Sequence, residues 1–251
     1  MMKEQDRLFF SGTSGLALSL TQAQYPAEYK GASRLTYYAS LFNSIEINST
    51  FYKLPQASTV RKWGESVPAH FRFTFKLSKT ITHSKGLSYN SGEVAAFLHT
   101  VGHIGSKKGC VLIQFPPSVK HDQLDEVEVL IGQLKEADPD GEWKLALEFR
   151  NRAWYSDATY NFLQQYGVTL VMHDFPSCPT PDREVLDPVI YMRFHGPGGK
   201  YRGSYSEEEL WITSEKIKAL MAKGKLVYVY FNNTMGDAEN NLRTLNRLVS
   251  S

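Results

Sequence analysis

Two short stretches carry carboxylates in a pattern suited to chemistry. In Ser44-Ile45-Glu46-Ile47-Asn48, apolar Ile45 and Ile47 alternate with Glu46 and Asn48. In Leu145-Ala146-Leu147-Glu148-Phe149-Arg150, the leucines and Phe149 alternate with Ala146, Glu148 and Arg150. Period-two alternation is a β-strand with one apolar face and one face bearing the polar groups. Two carboxylates presented this way can divide acid and base work when their surroundings separate their pKa values. Arg150 beside Glu148 favours the ionised form, which suits a base or nucleophile; Glu46, with neutral Asn48 on its face, is then the expected proton donor. Arg72 and Lys76 share the polar face of Phe71–Lys76, and Arg193 and His195 that of Val189–His195. Such cations suit an anionic group, phosphate or carboxylate. The expected catalytic residues are Glu148, Glu46 and His195. The expected substrate contacts are Thr13, Asn48, Lys76, Gln114, Arg150, Trp154, Asp174, Arg193 and Asn232.

A metal variant would recruit His173, Asp174, Glu148 and His195, an oxygen and imidazole set suited to Mn, Zn or Fe. Their spacing matches no ligand signature, so no metal ligand is assigned and the cofactor stays open. The aromatics Tyr52, Trp154, Tyr201 and Tyr205 suit stacking on sugars or bases, and equally suit loop packing. Two classes of function therefore stand side by side. One is a hydrolase or lyase acting on a phosphorylated or acidic, sugar-like substrate; the other is a non-catalytic binding protein for an anionic metabolite or a nucleic-acid end.

The elements that position these groups can be read from periodicity. Strands are expected at Leu8–Ser11, Ser44–Asn48, Phe71–Lys76, Gly109–Phe115, Leu145–Arg150, Val168–Met172, Val189–His195 and Leu226–Phe231. Helices are expected after most of them: from N-cap Ser33 to about Leu41, over 58–66, 92–101, 122–137 and 156–166, from the Ser206/Glu209 capping box to 223, and over 237–248. The turn Gly12-Thr13-Ser14-Gly15 could offer backbone N–H groups to a ligand, although an ordinary tight turn is the simpler reading. Lys79–Leu87 reads as loop, and 175–188 as a Pro-rich connection. Eight strand–helix units imply parallel strands, because parallel pairing needs long crossovers, and eight such units fit a single-domain, TIM-like (β/α)₈ barrel of the α/β class. An open doubly wound sheet shares the alternation, but no Gly-rich dinucleotide fingerprint comes after the first strand. Polar groups at the strand ends would then line an open, wet, charged mouth.

The 251 residues, 42% of them hydrophobic, suffice for one large core, and the net charge of +2 selects no class of partner. Cys110 and Cys178 form neither a metal pattern nor a disulfide framework. The charged start Met1–Arg7 precedes no signal-peptide apolar region, and apolar runs fall far short of the roughly 20 residues that span a bilayer. A cytoplasmic protein without membrane attachment is expected; the oligomeric state stays open.

Several stretches together carry a family resemblance: Gly12–Gly15, Phe42–Pro55, Phe75-Lys76 with Ile81-Thr82-His83, Gln114–Ser118, Glu148–Arg150 with Trp154, Tyr191–Gly196 and Tyr230–Asn233. In this order, over nearly the whole chain, they resemble the domain of unknown function 72 family, the YecE-like proteins. The resemblance implies a TIM-like barrel and supplies no activity. One departure is Leu16-Ala17-Leu18, where members usually carry a tryptophan or aromatic segment.

Overall fold

A computed structural model describes residues 8–183 and 187–251. The charged start Met1–Arg7 and residues 184–186 of the Pro-rich connection lie outside the described residues. Eight parallel strands alternate with helices: β1 Phe9–Thr13, β2 Ser44–Ile47, β3 Arg72–Lys76, β4 Lys108–Gln114, β5 Lys144–Glu148, β6 Thr169–His173, β7 Val189–Phe194 and β8 Leu226–Phe231. Their order in the sheet is β1-β8-β7-β6-β5-β4-β3-β2. The far edges also meet, because Ser14 bridges to Glu46 in parallel and the Gly15 N–H donates to the Glu46 carbonyl at 2.8 Å. This nearly closed ring is a TIM-like (β/α)₈ barrel, as the strand–helix alternation implies.

The helices are α1 Arg34–Leu41, α2 Ala57–Glu65, α3 Lys79–Thr82, α4 Gly92–Gly102, α5 Leu124–Glu136, α6 Asp157–Tyr166, α7 Glu207–Ala222 and α8 Ala238–Ser250. Capping chemistry sets several starts: Ser33 accepts from the Thr36 N–H, Ser156 from that of Thr159, and Ser206 forms a full capping box with Glu209. Helix α3 corrects the expected loop over Lys79–Leu87; Ser78 accepts from the Thr80 N–H and nucleates one helical turn there. Among the described residues, no helix is long and apolar enough to cross a membrane. Both cysteines are free and buried.

The chain forms two compact units. The first comprises the described parts of Met1–Glu46, Ser66–Arg72 and Met172–Ser251; the second comprises Ile47–Glu65 and Phe73–Val171. In the first, Phe10 stacks on Tyr228 at 5.2 Å, and fully buried Tyr38 packs against Phe42 and Phe71. In the second, Phe73 stacks on Phe75, Trp143 meets Phe75 edge-on, and Phe115, Phe149 and Trp154 form a continuous stack.

The backbones come into close contact where β1 passes β2. A Cβ added at Gly12 would lie 2.1 Å from the Ser44 carbonyl oxygen, so only glycine fits. Gly132, exposed in the middle of α5, has nothing within 4 Å of such a Cβ. Urea unfolding should therefore separate the two. Gly12→Ala should lose about 1–3 kcal/mol, the scale of overpacking, and Gly132→Ala should gain about 0.5–1 kcal/mol by removing helix-interior glycine. A neutral Gly12→Ala would show that the strand edges can separate without loss.

Candidate functional site

In the first unit the alternation of β7 places Tyr191, Arg193 and His195 on one face, and Glu46 at the end of β2 meets that face. Ser14 Oγ donates to Glu46 Oε1 at 2.6 Å and Tyr191 Oη to Oε2 at 2.5 Å. Arg193 donates through Nη2 to Oε1 at 2.9 Å, and through Nε to both oxygens at 3.1–3.2 Å. Glu46 is 0% exposed and Arg193 2%. Burial pushes the Glu46 carboxyl up, but the Arg193 charge and the hydrogen bonds from Arg193, Ser14 and Tyr191 outweigh it and hold it below its ordinary value. Glu46 is therefore held ionised, which corrects the expected role as proton donor.

The network continues outward. Arg193 Nη1 lies 3.1 Å from His195 Nε2, and His195 Nδ1 lies 3.2 Å from Asp174 Oδ1. A guanidinium can only donate, so His195 Nε2 accepts, and the ring carries its proton on Nδ1, facing Asp174. Both nitrogens are thus engaged, and the geometry makes His195 an orienting group rather than a base open to substrate. Asp174 also accepts from the His195 N–H at 2.7 Å and from Tyr205 Oη, which in turn accepts from the Gly196 N–H at 2.6 Å. Burial raises the Asp174 carboxyl, but the bonds from His195 and Tyr205 prevail and lower it; the Tyr205 hydroxyl is pushed far up by burial and by the Asp174 charge.

Thr13 is spent on structure as well, its N–H and hydroxyl both meeting Tyr38 Oη. The Ser14 and Gly15 N–H groups go to the Phe231 and Glu46 carbonyls, so the small-residue turn offers neither to a ligand. Asn232, after β8, is buried. For Glu46, Arg193 and His195 the expected wet mouth is replaced by a dry, mutually satisfied network.

The second unit holds the remaining expected residues. Glu148 closes β5, is fully buried, and accepts from Arg150 Nε at 2.6 Å and from Arg150 Nη2. Its register partner in β4 is Gln114, whose Oε1 accepts from Lys76 Nζ at 2.9 Å. Lys76 Nζ also stands 4.2 Å over the Phe51 ring. Three neighbouring strand ends thus bring together Lys76, Gln114, Glu148 and Arg150. Arg72 opens β3 while Lys76 closes it, four residues or roughly 13 Å of strand rise away, so Arg72 leaves the expected cation set.

Trp154 is also corrected: it is completely buried, stacked on Phe149 at 4.3 Å, with its indole N–H donated to the Val119 carbonyl, and has no face for substrate. Asn48 Oδ1 is buried and accepts no hydrogen bond from the described residues. Among the described residues, no group of three or more His, Cys, Asp or Glu side chains is arranged to hold a metal ion, so the four-residue metal variant is not assembled.

His83 is the functional candidate that the strand pattern left out, since it lies in a segment read as loop. Its Nδ1 is 2.9 Å from Thr82 Oγ1, its ring meets Phe51 edge-on at 4.9 Å, and burial and then the Lys76 charge lower its pKa to about 4. The imidazole is therefore neutral, chiefly because it is withdrawn from water and secondarily because Lys76 is near.

The model of the family described as protein of unknown function DUF72 matches residues 10–251. UPF0759 protein YunF of Bacillus subtilis is 29% identical over 255 residues, covering 86% of each chain. UPF0759 protein YecE of Escherichia coli K12 is 29% identical over 163 residues, 62% of this chain and 58% of that one. A DUF72 family protein from Thermotoga maritima superposes with a TM-score of 0.77 at 26% identity, over 97% of this chain and 100% of the other. One from Enterococcus faecalis gives 0.80 at 23%, over 97% and 96%. A xylose isomerase domain containing protein from Salmonella typhimurium shares the fold, with a TM-score of 0.54 at 12% identity, over 100% and 98%.

Two measurements check this geometry. Arg193→Met should destabilise by about 3–5 kcal/mol, because it strands the buried Glu46 charge, and adding Glu46→Gln should recover much of that. Simple additivity in urea unfolding would show that the pair is uncoupled. Because Glu46 is held below its ordinary value, its contribution is present above the usual carboxylate range and fades as pH falls through the folded value; the double variant should lack that acid-limb loss. Separately, the His83 ring should titrate at about pH 4 by NMR, and Lys76→Met should raise that value only in part, since burial is the larger cause. An ordinary histidine titration in wild type would show that neither burial nor Lys76 acts on the ring.

Proposed function

The chain belongs to the DUF72 family, and from that premise we propose that it acts on a small anionic, phosphorylated or acidic, sugar-like substrate at the C-terminal ends of β3–β5, as a hydrolase or lyase. The observation that carries the reading is the cluster of Lys76, Gln114, Glu148 and Arg150. Two cations and one carboxylate stand at three neighbouring strand ends, the end where barrels of this type place their chemistry. One further negative charge balances that set, and Lys76 adds, after burial, to the lowering of the His83 pKa. Lys76 and Arg150 hold the anionic group and stabilise negative charge developing beside it. Glu148, paired with Arg150, serves as the base that takes a proton from water or from the substrate. Glu46 has no part in this scheme as an acid, because its own partners keep it ionised.

A binding protein without turnover is the second reading, and the Arg150–Glu148 bond favours it, because a base so engaged gives up that bond to accept a proton. Titrating inorganic phosphate at constant ionic strength should raise the melting temperature of wild type, as a ligand binding only the folded state does, and raise that of Lys76→Met far less. Equal responses would end the anion reading. In a screen of phosphoesters and glycosides, turnover should fall by roughly a hundredfold in Glu148→Gln, the scale of a positioned acid or base. A folded Glu148→Gln variant that turns over normally would take Glu148 out of the chemistry, and a screen without turnover alongside phosphate binding would favour the binding protein.

A further inference from the structure

The turn after β2 presents aromatic surface at the edge of the Lys76 cluster. Thr50 Oγ1 is 2.7 Å from the Lys76 carbonyl and 3.0 Å from that of Ile47, which fastens the turn to the end of β3. The next two residues are aromatic. Phe51 lies against the neutral ring of His83 and edge-on to Tyr52, centroids 5.0 Å apart. Tyr52 is 71% exposed, the most exposed of the large apolar side chains described. A ring braced on one side and left open to solvent on the other costs little conformational entropy when something planar stacks on it.

Cations surround this ring. Lys79 Nζ stands 5.6 Å over it, and Lys76 Nζ stands 4.2 Å over the Phe51 ring that itself touches Tyr52. The acidic neighbour Glu93 is bonded to Thr80, on the short helix that carries Lys79. A stacking surface beside ammonium groups matches a ligand with a π-face and a phosphate on one short frame.

We propose that this face binds a nucleoside phosphate: the base stacks on Tyr52 and the phosphate lies at Lys76 and Lys79. The assignment rests on the anion reading above for Lys76 and narrows it to one substrate class. Free nucleotides and the 5′-phosphorylated end of a single strand share this chemistry.

Calorimetric titration of the full chain with adenosine 5′-monophosphate, ribose 5-phosphate and a 5′-phosphorylated oligothymidylate tests it. The nucleotide should bind roughly fivefold or more tighter than ribose 5-phosphate, the lower end of base–aromatic stacking. Tyr52→Ala, a surface change, should erase that advantage while leaving ribose 5-phosphate binding alone, Tyr52→Phe should keep it, and Lys76→Met should weaken both ligands. Tighter binding of the oligonucleotide than of the mononucleotide, with the same dependence on Tyr52, supports the proposal with a strand end as the source; weaker binding supports it with the free nucleotide. Equal affinities for nucleotide and ribose 5-phosphate, or an advantage that survives in Tyr52→Ala, would overturn the nucleoside assignment and leave the anion reading intact. Failure of every phosphate compound to bind would overturn both.

Discussion

The first unit depends on one buried ion pair. Glu46 and Arg193 are withdrawn from water, and a charge in that position is tolerated only when its partner and its remaining hydrogen bonds are all in place. That requirement accounts for the residues around it. Ser14 and Tyr191 take up the carboxylate lone pairs that Arg193 leaves, His195 accepts the spare guanidinium N–H, and Asp174 with Tyr205 holds His195 in the tautomer able to accept it. The Glu46 main chain also closes the sheet through Gly15. One residue thus ties the ends of β1, β2 and β7 together, and side chains that look catalytic by type are occupied in keeping it there.

The second unit resolves its charges differently. Lys76 meets an amide and an aromatic face, and Glu148 meets a guanidinium two residues beyond the end of its own strand. Positive charge exceeds negative at these strand ends, and His83 beside them stays neutral, mainly through burial and in smaller part through Lys76. A network that satisfies every member is rigid and closed to newcomers, whereas one with residual charge has a physical reason to take a ligand. This contrast places the proposed function with Glu148 rather than Glu46, although both are carboxylates at strand ends and equally buried.

Period-two alternation, with short apolar runs at Leu8–Ser11 and Val168–Met172, found all eight strands to within a residue or two, and alternation put Tyr191, Arg193 and His195 on a common face, because strand geometry dictates which side chains point the same way. It carries no information on the groups that stand opposite a face. Glu46 therefore read as an acid beside a neutral amide, when three hydrogen-bonding neighbours from distant parts of the chain hold it ionised. Trp154 read as a ligand contact because a tryptophan after a polar strand end is ambiguous until its ring has a partner, here Phe149. Arg72 and Lys76 looked equivalent on one face, and only the direction of the strand separates them. Helix α3 rests on a single serine cap, a signal too short for periodicity to register.

The turn after β2 shows how such short signals become consequential. Asn48, Ser49 and Thr50 end a strand by composition, since small polar side chains compete for backbone groups. In the fold that competition is put to use, with the Thr50 hydroxyl reaching two carbonyls from consecutive strands. A loop fixed in this way positions the residues after it nearly as firmly as a strand would, and the precision of a binding site depends on such support. Phe51 then does two things at once: it shares the Lys76 cation on its face and braces Tyr52 and His83 with its edges. Replacing it with an aliphatic residue would keep the turn, remove the cation's aromatic partner and release the exposed ring. The aromatic character of position 51, rather than its bulk, is the property that connects the charged strand ends to the surface.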